Sequence, residues 1–251
     1  MKVVLKNLIL ILLKNRIFRF LFELRNLTST STLFSIKYIF RPDLKARYDF
    51  FLKAAFYIQM SNLHGSYHEF GCADLNTIRM ALDTLGYRYK NKNDKALKFY
   101  LYDTFYGMPK LVSGDDPHWC LSEGMNCTTM NDVKKNLKKD IKRIKMFPGI
   151  YSESLKKIKN DEVEKISLAY LDCDYYSSTR DALEYCKDKF VNGSIIAFDD
   201  WNLYACDQNK GQRKAYNEFN EKYKKNYIFE EFSDVGFTGK AFSIRLIESD
   251  I

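Results

Sequence analysis

The stretch ISLAYLDCDYYSSTRDALEYCKDKFVNGSIIAFDDW, residues 166–201, decides the fold. An apolar run ends at Asp172, a helical pattern follows over 179–190, and a second apolar run ends at Asp199 and Asp200. This pattern predicts a strand–helix–strand unit, whose right-handed crossover makes the two strands parallel. Parallel strands end on the same edge of a sheet, where open α/β sheets bind ligands. We therefore expect the three aspartates to converge at that edge.

Three converging carboxylates indicate a cation site. They repel one another strongly unless a cation lies among them or some of them take up protons. Oxygen ligands without soft ones indicate Mg²⁺, with Ca²⁺ and Mn²⁺ as alternatives. The metal ligands predicted in this way are Asp172, Asp199 and Asp200. Asp174 lies two residues beyond the strand end and starts a turn, so we do not assign it to the metal.

The remaining apolar patterns predict an α/β fold with a mostly parallel sheet. Strands are predicted at 66–71, 98–105, 166–172 and 193–201, with an antiparallel hairpin within 227–247. Helices are predicted at 75–86, 130–144, 179–190 and 211–225, the first closed by Gly86 and the third capped by Ser177, Ser178 or Thr179.

Composition narrows the classes of function. The chain has 251 residues and a formal net charge of +8, which suggests an anionic partner. The lysines concentrate at 133–145 and 221–227, where apolar residues recur at helical spacing, so solvated helix faces explain them better than a nucleic-acid surface. Six cysteines without a C-x-x-C pair favour a reduced, cytoplasmic protein, and three histidines without metal-ligand spacing argue against zinc.

The N-terminal segment, residues 1–24, predicts a basic amphipathic helix. Its uninterrupted apolar run over 8–13 is much shorter than the ~20 residues of a membrane span. Packing on the domain or on a second subunit is the favoured role, which makes a homo-oligomer the expected state. Peripheral contact with the inner membrane surface is the alternative. We therefore divide the chain into a helical lead-in, 1–60, and a main domain, 61–251.

The first strand–helix turn, EFGCADLNT at 69–77, is the expected cofactor site. It contains one glycine, Gly71, and no G-x-G-x-x-G pattern. Asp103, at the end of the second strand, can accept hydrogen bonds from both hydroxyls of a ribose. Because the turn lacks the further glycines and the basic residue that a diphosphate requires, a cofactor with a ribose and no phosphate fits better.

Six sequence blocks together resemble the macrocin O-methyltransferase family. They are YHEFGCADLNT, YLYDTFYGMP, FPGIYSESL, LAYLDCDYYSSTRDALE, GSIIAFDDW and GQRKAYNEF. The resemblance covers roughly residues 60–245 and is most specific in LDCDYYSST and FDDW. It implies a Rossmann-like class I methyltransferase with a seven-stranded sheet, which uses S-adenosylmethionine (SAM) and Mg²⁺ to methylate a sugar hydroxyl.

The resemblance also implies roles for individual residues. Glu69, Gly71 and Asp103 would contact SAM, and Asp172 would act both as a metal ligand and as the general base. The sequence departs from the family's usual Glu-Phe-Gly-Val-x-x-Gly-x-Ser turn at Leu75 and Thr77. The insert over 110–127 matches no family block closely and is where we expect acceptor specificity to be set.

We expect the acceptor to carry a sugar. The excess of basic residues favours an acceptor that also bears phosphate. The main alternative function is a glycosyltransferase that holds a nucleotide sugar and a metal through Asp-X-Asp. That alternative explains DCD at 172–174 but leaves the second acidic pair, Asp199 and Asp200, without a role. A phosphohydrolase of the Asp-X-Asp type would carry the motif on its first strand, whereas here it lies late in the chain.

Overall fold

The structure is a computed structural model that describes residues 41–88 and 97–247. The predicted N-terminal amphipathic helix lies outside these residues, so its roles in packing, oligomer formation and membrane contact stay predictions. The chain divides into two compact units, Met1–Lys45 and Ala46–Ile251. Since the second unit begins at Ala46, the part of the predicted lead-in from Ala46 to residue 60 belongs with the sheet.

The elements alternate between strands and helices along the chain. The helices are α1 (Pro42–Met60), α2 (Asn76–Asp83), α3 (Met130–Asn136), α4 (Tyr151–Ser154), α5 (Tyr176–Cys186) and α6 (Gly211–Tyr223). The strands are β1 (Ser66–Phe70), β2 (Phe99–Asp103), β3 (Ile144–Pro148), β4 (Ile166–Leu171), β5 (Phe190–Phe198), β6 (Tyr227–Val235) and β7 (Gly239–Leu246).

All seven strands form one sheet in the order β3-β2-β1-β4-β5-β7-β6. The first five strands in this order, β3, β2, β1, β4 and β5, run parallel to one another. Strand β7 is antiparallel to both β5 and β6. The predicted α/β class, with a mostly parallel sheet and a C-terminal antiparallel hairpin, is confirmed. The strand order reverses between β1 and β4, and ligands of open α/β sheets bind at such a switch point.

The two central strands, β1 and β4, are buried along their whole length. Helices cover both faces of the sheet, which is why β4, with the sequence ISLAYL, is almost continuously apolar or aromatic. In β1 the buried Glu69 has hydrogen-bond partners instead. On one face Phe51 of α1 packs edge-on against Tyr67 of β1, with 6.0 Å between ring centroids. On the other face Tyr185 of α5 packs edge-on against Phe70, at 6.1 Å. The sheet ends that carry the acidic residues are therefore fixed between two layers of helix.

The predicted helix over 130–144 is wrong in its second half. Helix α3 ends at Asn136, and the chain then forms the edge strand β3, which pairs with β2. The capping residue Leu137 has left the helical conformation, with φ −113° and ψ 28°. Residues Ile141–Arg143 form a single 3-10 turn, and β3 begins at Ile144. Only the first residue of this edge strand, IKMFP, is buried, so the strand lacks the regular alternation by which a strand is predicted.

Gly86 does not close α2 as predicted. The helix continues through it as a π-helical segment, Thr84–Arg88. A Cβ on Gly86 would lie 3.1 Å from the guanidinium of Arg143 and 3.4 Å from the ring of Phe99. The glycine is therefore explained by the close approach of these two side chains, not by a helix end.

The N-terminus of α5 is capped by a residue distant in sequence. The predicted caps Ser177, Ser178 and Thr179 lie inside the helix, which begins at Tyr176. Instead, the carboxylate of Asp115 accepts hydrogen bonds from the backbone N–H of Ser177, at 2.8 Å, and from its hydroxyl, at 2.9 Å. The insert after β2 thus binds to the helix that follows the acidic strand end, which local sequence patterns do not reveal.

The other predicted elements are confirmed, with ends that differ by a few residues. Strand β5 begins at Phe190, before the Gly193 that was expected to open it. All six cysteines are free thiols. Within residues 41–88 and 97–247, no helix combines the length and apolar composition needed to cross a membrane.

The cap of α5 gives a test of this architecture. Asp115→Ala removes the acceptor of both Ser177 hydrogen bonds, and loss of a helix cap typically costs about 1 kcal/mol. We expect the free energy of unfolding, measured in urea, to fall by about that amount. Asp115→Asn keeps an acceptor oxygen and should lose less. Equal stability of wild type and Asp115→Ala would show that the contact does not stabilise the helix.

Candidate active site

Three aspartates meet at the carboxyl ends of β4 and β5. Asp172 directly follows β4, and Asp199 and Asp200 directly follow β5. One carboxylate oxygen from each lies within 4.8 Å of the others. The predicted convergence is confirmed. The spacing allows one ion to contact all three side chains, while their role as metal ligands stays a prediction.

The electrostatics of this cluster disfavour three bare charges. Burial raises the pKa of Asp172 well above its ordinary value, and the neighbouring charge of Asp199 raises it further. Burial likewise raises the pKa of Asp200, with added repulsion from Asp174 and Asp172. The pKa of Asp199 is also raised by burial, against the opposing effect of Arg47. The cluster therefore gains stability from any cation that enters it.

Backbone and side-chain hydrogen bonds fix the two strand ends together. The side chain of Gln212, from the first turn of α6, accepts from the backbone N–H of Asp200 at 2.9 Å and donates to the carbonyl of Leu171 at 3.1 Å. Thr238 of the C-terminal hairpin donates to the carbonyl of Asp199 at 2.9 Å. Gln212 is buried and thus acts as a brace between β4 and β5.

Sequence reasoning missed one charged residue of the site, Arg47 of α1. Its Nη2 donates to Oδ2 of Asp199 at 2.6 Å. The hydroxyl of Tyr170 donates to the other oxygen of Asp199, and Phe51 of α1 stacks on the Tyr170 ring with centroids 5.3 Å apart. The one available signal was an arginine at the start of the aromatic helical pattern RYDFF, but nothing in that pattern gives its partner.

Asp174 lies at the rim of the cluster. It adopts φ +53° in the turn before α5, and its backbone N–H donates to Asp200 at 3.1 Å. Burial and the charge of Asp199 raise the pKa of its carboxyl to about 6. The three-residue group with metal-ligand spacing does not include it, which agrees with its interpretation as a turn residue.

Gly71 brings the end of β1 against the end of β4. It has φ +94°, and a Cβ at this position would lie 1.8 Å from the carbonyl oxygen of Asp172. Only glycine fits this close backbone approach. Next to it, the carboxylate of Asp103 accepts from the backbone N–H of Cys72 at 2.7 Å and of Phe105 at 2.8 Å. These bonds orient Asp103 and leave further lone pairs on its oxygens for a ligand.

Glu69 is placed differently from the other predicted cofactor residues. It is fully buried, and its two oxygens accept from the hydroxyl of Tyr67 at 2.6 Å and of Thr77 at 2.9 Å. Burial raises the pKa of Glu69 to about 8. It does not line the pocket described below. A direct contact between Glu69 and the cofactor stays a prediction, while its observed contacts fix the start of α2.

Leu75 occupies the position of the family's second glycine with a glycine-like backbone. Its φ of +60° is left-handed, and its side chain is buried at 3% exposure. Such a conformation costs a non-glycine residue on the order of 1 kcal/mol, which burial of the leucine side chain offsets. The turn therefore keeps the left-handed conformation despite the substitution.

One pocket joins the two halves of the site. It encloses about 590 Å³ of atom-free space, including its open mouth, and its lining includes Gly71, Asp103, Asp172 and Asp174. The insert after β2 contributes Asn126 to the same lining. A ligand bound at Asp103 could therefore reach the acidic cluster without leaving the pocket.

Comparison with known families agrees with this arrangement. The family model of macrocin-O-methyltransferase (TylF) matches residues 79–242, more than half of the chain. The chain belongs to the macrocin O-methyltransferase family. The matched region contains Asp103 and all three aspartates of the cluster, whereas Gly71 lies just before it.

One curated relative comes from Streptomyces olivaceus. It is 8-demethyl-8-(2,3-dimethoxy-alpha-L-rhamnosyl)-tetracenomycin-C 4'-O-methyltransferase. It is 25% identical over 156 residues, which cover 58% of this chain and 54% of the relative. The chain thus matches about half the length of that relative.

Solved structures share the fold. The calicheamicin methyltransferase CalS11 has a TM-score of 0.64 and 18% identity, covering 95% of this chain and 90% of that one. TomG from Streptomyces achromogenes, solved in complex with SAM, has a TM-score of 0.50 and 8% identity, covering 78% of each chain. At these identities the likeness shows a common fold.

A pair of glycine substitutions tests the close approach at Gly71. In Gly71→Ala the new Cβ overlaps the Asp172 carbonyl, and overpacking of this kind costs about 1–3 kcal/mol. Gly124→Ala is the matched control, since Gly124 also has positive φ, +80°, but no atom lies within 4 Å of its Cβ position. We expect the free energy of unfolding to fall further in Gly71→Ala, by urea titration. Equal losses of unfolding free energy in the two variants would mean that backbone strain, and not the close approach to Asp172, explains the effect of Gly71→Ala.

Proposed function

We propose that this protein transfers a methyl group from SAM to a hydroxyl of a sugar-bearing acceptor, with assistance from Mg²⁺. One observation carries the proposal: a single pocket is lined by both Asp103 and Asp172. This supports one ligand site in which the carboxylate of Asp103 is available to a ribose and Asp172 brings the acidic cluster to the ligand. Family membership and the sugar-directed activity of the tetracenomycin relative support the same reaction. They favour methyl transfer over the glycosyltransferase alternative.

SAM suits the β1 end of the pocket. Asp103 is held by two backbone N–H groups in an orientation suited to ribose hydroxyls. The turn around Gly71 lacks the run of glycines that a diphosphate would need. SAM contains a ribose without phosphate, and TomG, which shares the fold, binds it in its solved structure.

The donor set of the acidic cluster suits Mg²⁺. Asp172, Asp199 and Asp200 offer carboxylate oxygens within 4.8 Å of one another, the hard ligands that Mg²⁺ prefers. Burial raises the pKa of all three carboxyls, which favours a cation that would compensate their charge. Mg²⁺ bound there would supply Lewis acidity that lowers the pKa of a nearby hydroxyl.

Asp172 is the residue proposed to move the proton. It lies both in the cluster and in the pocket lining, so it faces the acceptor as well as the other acids. Its carboxylate accepts the hydroxyl proton as the oxygen takes the methyl group from the sulfonium, which leaves S-adenosylhomocysteine. The ends of β1 and β4 meet at Gly71, and Gln212 braces β4 against β5, so together they would hold the reacting atoms in line.

A thermal-shift experiment separates the proposed function from the glycosyltransferase alternative. S-adenosylhomocysteine is compared with uridine and guanosine diphosphate sugars, each with and without Mg²⁺. We expect S-adenosylhomocysteine to raise the melting temperature and the nucleotide sugars alone to leave it unchanged. Stabilisation only by a nucleotide sugar together with Mg²⁺ would overturn the methyltransferase proposal.

The role of Asp172 is tested by Asp172→Asn. The amide cannot accept the hydroxyl proton as a base, so we expect methyl transfer to fall at least ~100-fold, in line with the usual contribution of a general base. Binding of S-adenosylhomocysteine, measured by calorimetry, should change little. Asp161→Asn is the control, since Asp161 is exposed and away from the strand ends. Retained activity in Asp172→Asn, in the presence of a chelator, would contradict the mechanism.

The acceptor is proposed to bind along the insert after β2. Asp116 of this insert accepts from the N–H of Gly211 at 3.3 Å, and its carbonyl accepts from the hydroxyl of Tyr204 at 3.0 Å. His118 packs edge-on against Tyr204 with centroids 5.3 Å apart, and the next residue, Trp119, is 92% exposed. These contacts hold an aromatic surface beside the helices that follow the acidic strand ends, where a sugar ring can pack.

Trp119→Ala tests this surface, with dTDP-rhamnose as the probe because CalS11 is described as a TDP-rhamnose 3'-O-methyltransferase. Losing the exposed indole should weaken probe binding roughly 10-fold, about 1.4 kcal/mol, without changing the affinity for S-adenosylhomocysteine. Calorimetry measures the affinity for S-adenosylhomocysteine first, and then the affinity for dTDP-rhamnose in its presence. Met60→Ala, another exposed apolar residue at the end of α1, is the control. Equal probe affinity in all three proteins would exclude Trp119 from the acceptor site.

A further inference from the structure

Arg47 is a cationic side chain directed into a cluster of acids. Its Nη2 lies 2.6 Å from Oδ2 of Asp199, and the arginine side chain is only 23% exposed. Its Nε is buried without a hydrogen-bond partner among the described residues. An arginine remains protonated in proteins, so this group brings one fixed positive charge to the cluster. The contact between Arg47 and Asp199 therefore joins α1 to the sheet and also changes the net charge of the acidic cluster.

The charge balance of the cluster suggests what that positive charge does. Asp172, Asp199 and Asp200 together carry three negative charges when ionised. Arg47 compensates one of them, which leaves two, the charge that a single divalent cation neutralises. A site without the arginine would retain an excess negative charge, and would favour a trivalent ion or a bound proton. Asp174 lies outside the group with metal-ligand spacing, so its charge is not counted among those that the ion would contact.

Arg47 also sets the orientation of Asp199. One oxygen of Asp199 accepts from Arg47 and the other from the hydroxyl of Tyr170. The Tyr170 ring is itself held by Phe51 and Phe50 of α1, at centroid distances of 5.3 Å and 6.4 Å. With both oxygens engaged, the carboxylate plane is fixed, and only its remaining lone pairs can face an ion.

We propose that Arg47 is a positioning residue that matches the acidic cluster to a divalent cation. It does so by supplying one permanent positive charge and by fixing the carboxylate of Asp199. This inference rests on the metal site of the proposed function. It assigns to α1, which the sequence placed in the helical lead-in without a role at the site, a direct part in selecting the ion.

Ion selectivity is the measurement that tests this role. Mn²⁺ and Tb³⁺ affinities are determined by calorimetry for wild type, Arg47→Met, Arg47→Lys and the control Arg180→Met, which removes a more exposed arginine paired with Asp181. In Arg47→Met we expect the ratio of Tb³⁺ to Mn²⁺ affinity to rise at least about 10-fold, because a nearby unit charge acts more strongly on the ion of higher charge. Arg47→Lys keeps the charge and should stay within about 3-fold of wild type, as should Arg180→Met.

The melting temperature without metal gives a second measurement. Arg47→Met leaves an uncompensated buried carboxylate and should melt lower, whereas adding Mn²⁺ should raise its melting temperature more than that of wild type. The double variant Arg47→Met/Asp199→Asn removes both charges and should recover metal-free stability relative to Arg47→Met. This comparison also applies if Arg47→Met alone is too unstable for calorimetry.

The outcomes separate this inference from the proposed function. If wild type binds Mn²⁺ and the ratio in Arg47→Met is unchanged, Arg47 is a structural clamp and the inference is overturned. If Arg47→Met is insoluble and the double variant is no more stable, the inference is likewise overturned. If wild type binds neither Mn²⁺ nor Mg²⁺, the metal component of the proposed function fails together with it.

Discussion

Repulsion among three carboxylates at the ends of two adjacent strands is the constraint on which the rest of this structure depends. The parallel pairing of β4 and β5 forces Asp172, Asp199 and Asp200 to the same edge. Burial there makes each charge costly, so the site is stabilised by contacts that hold the strand ends together and by contacts that compensate an acid. The brace from Gln212 and the cation of Arg47 are the two clearest cases.

The same edge explains why residues far apart in sequence meet. Gly71 permits the end of β1 to touch the backbone of Asp172, which puts the turn after β1 and the acidic cluster in one pocket. The insert after β2 then reaches over to cap α5 through Asp115 and to bind the start of α6 through Asp116. The pocket is thus bounded by segments whose positions are set by helix ends, and the insert is not an independent loop.

Much of the site could be read from local patterns, because strand ends are marked in sequence. An apolar run followed by aspartate locates Asp103, Asp172 and the Asp199–Asp200 pair, and parallel pairing brings the last three together. Edge strand β3 was missed for a physical reason: with only its first residue buried, it presents no continuous buried face and therefore no regular alternation. The family resemblance implied a cofactor contact for Glu69, which stays a prediction; what the sequence did not reveal is that both of its oxygens accept from buried hydroxyls, of Tyr67 and Thr77.

The sequence by itself determined the α/β class, the convergence of the acidic residues and the family resemblance, since these depend on periodicity and on residues close to strand ends. Only the tertiary structure decided which distant groups complete the site. Arg47 lies 152 positions before Asp199, and Asp115 lies 62 positions before Ser177. No local pattern encodes such pairs, because they arise from how helices and loops pack on the finished sheet, where burial makes each unpaired charge and each unpaired N–H costly.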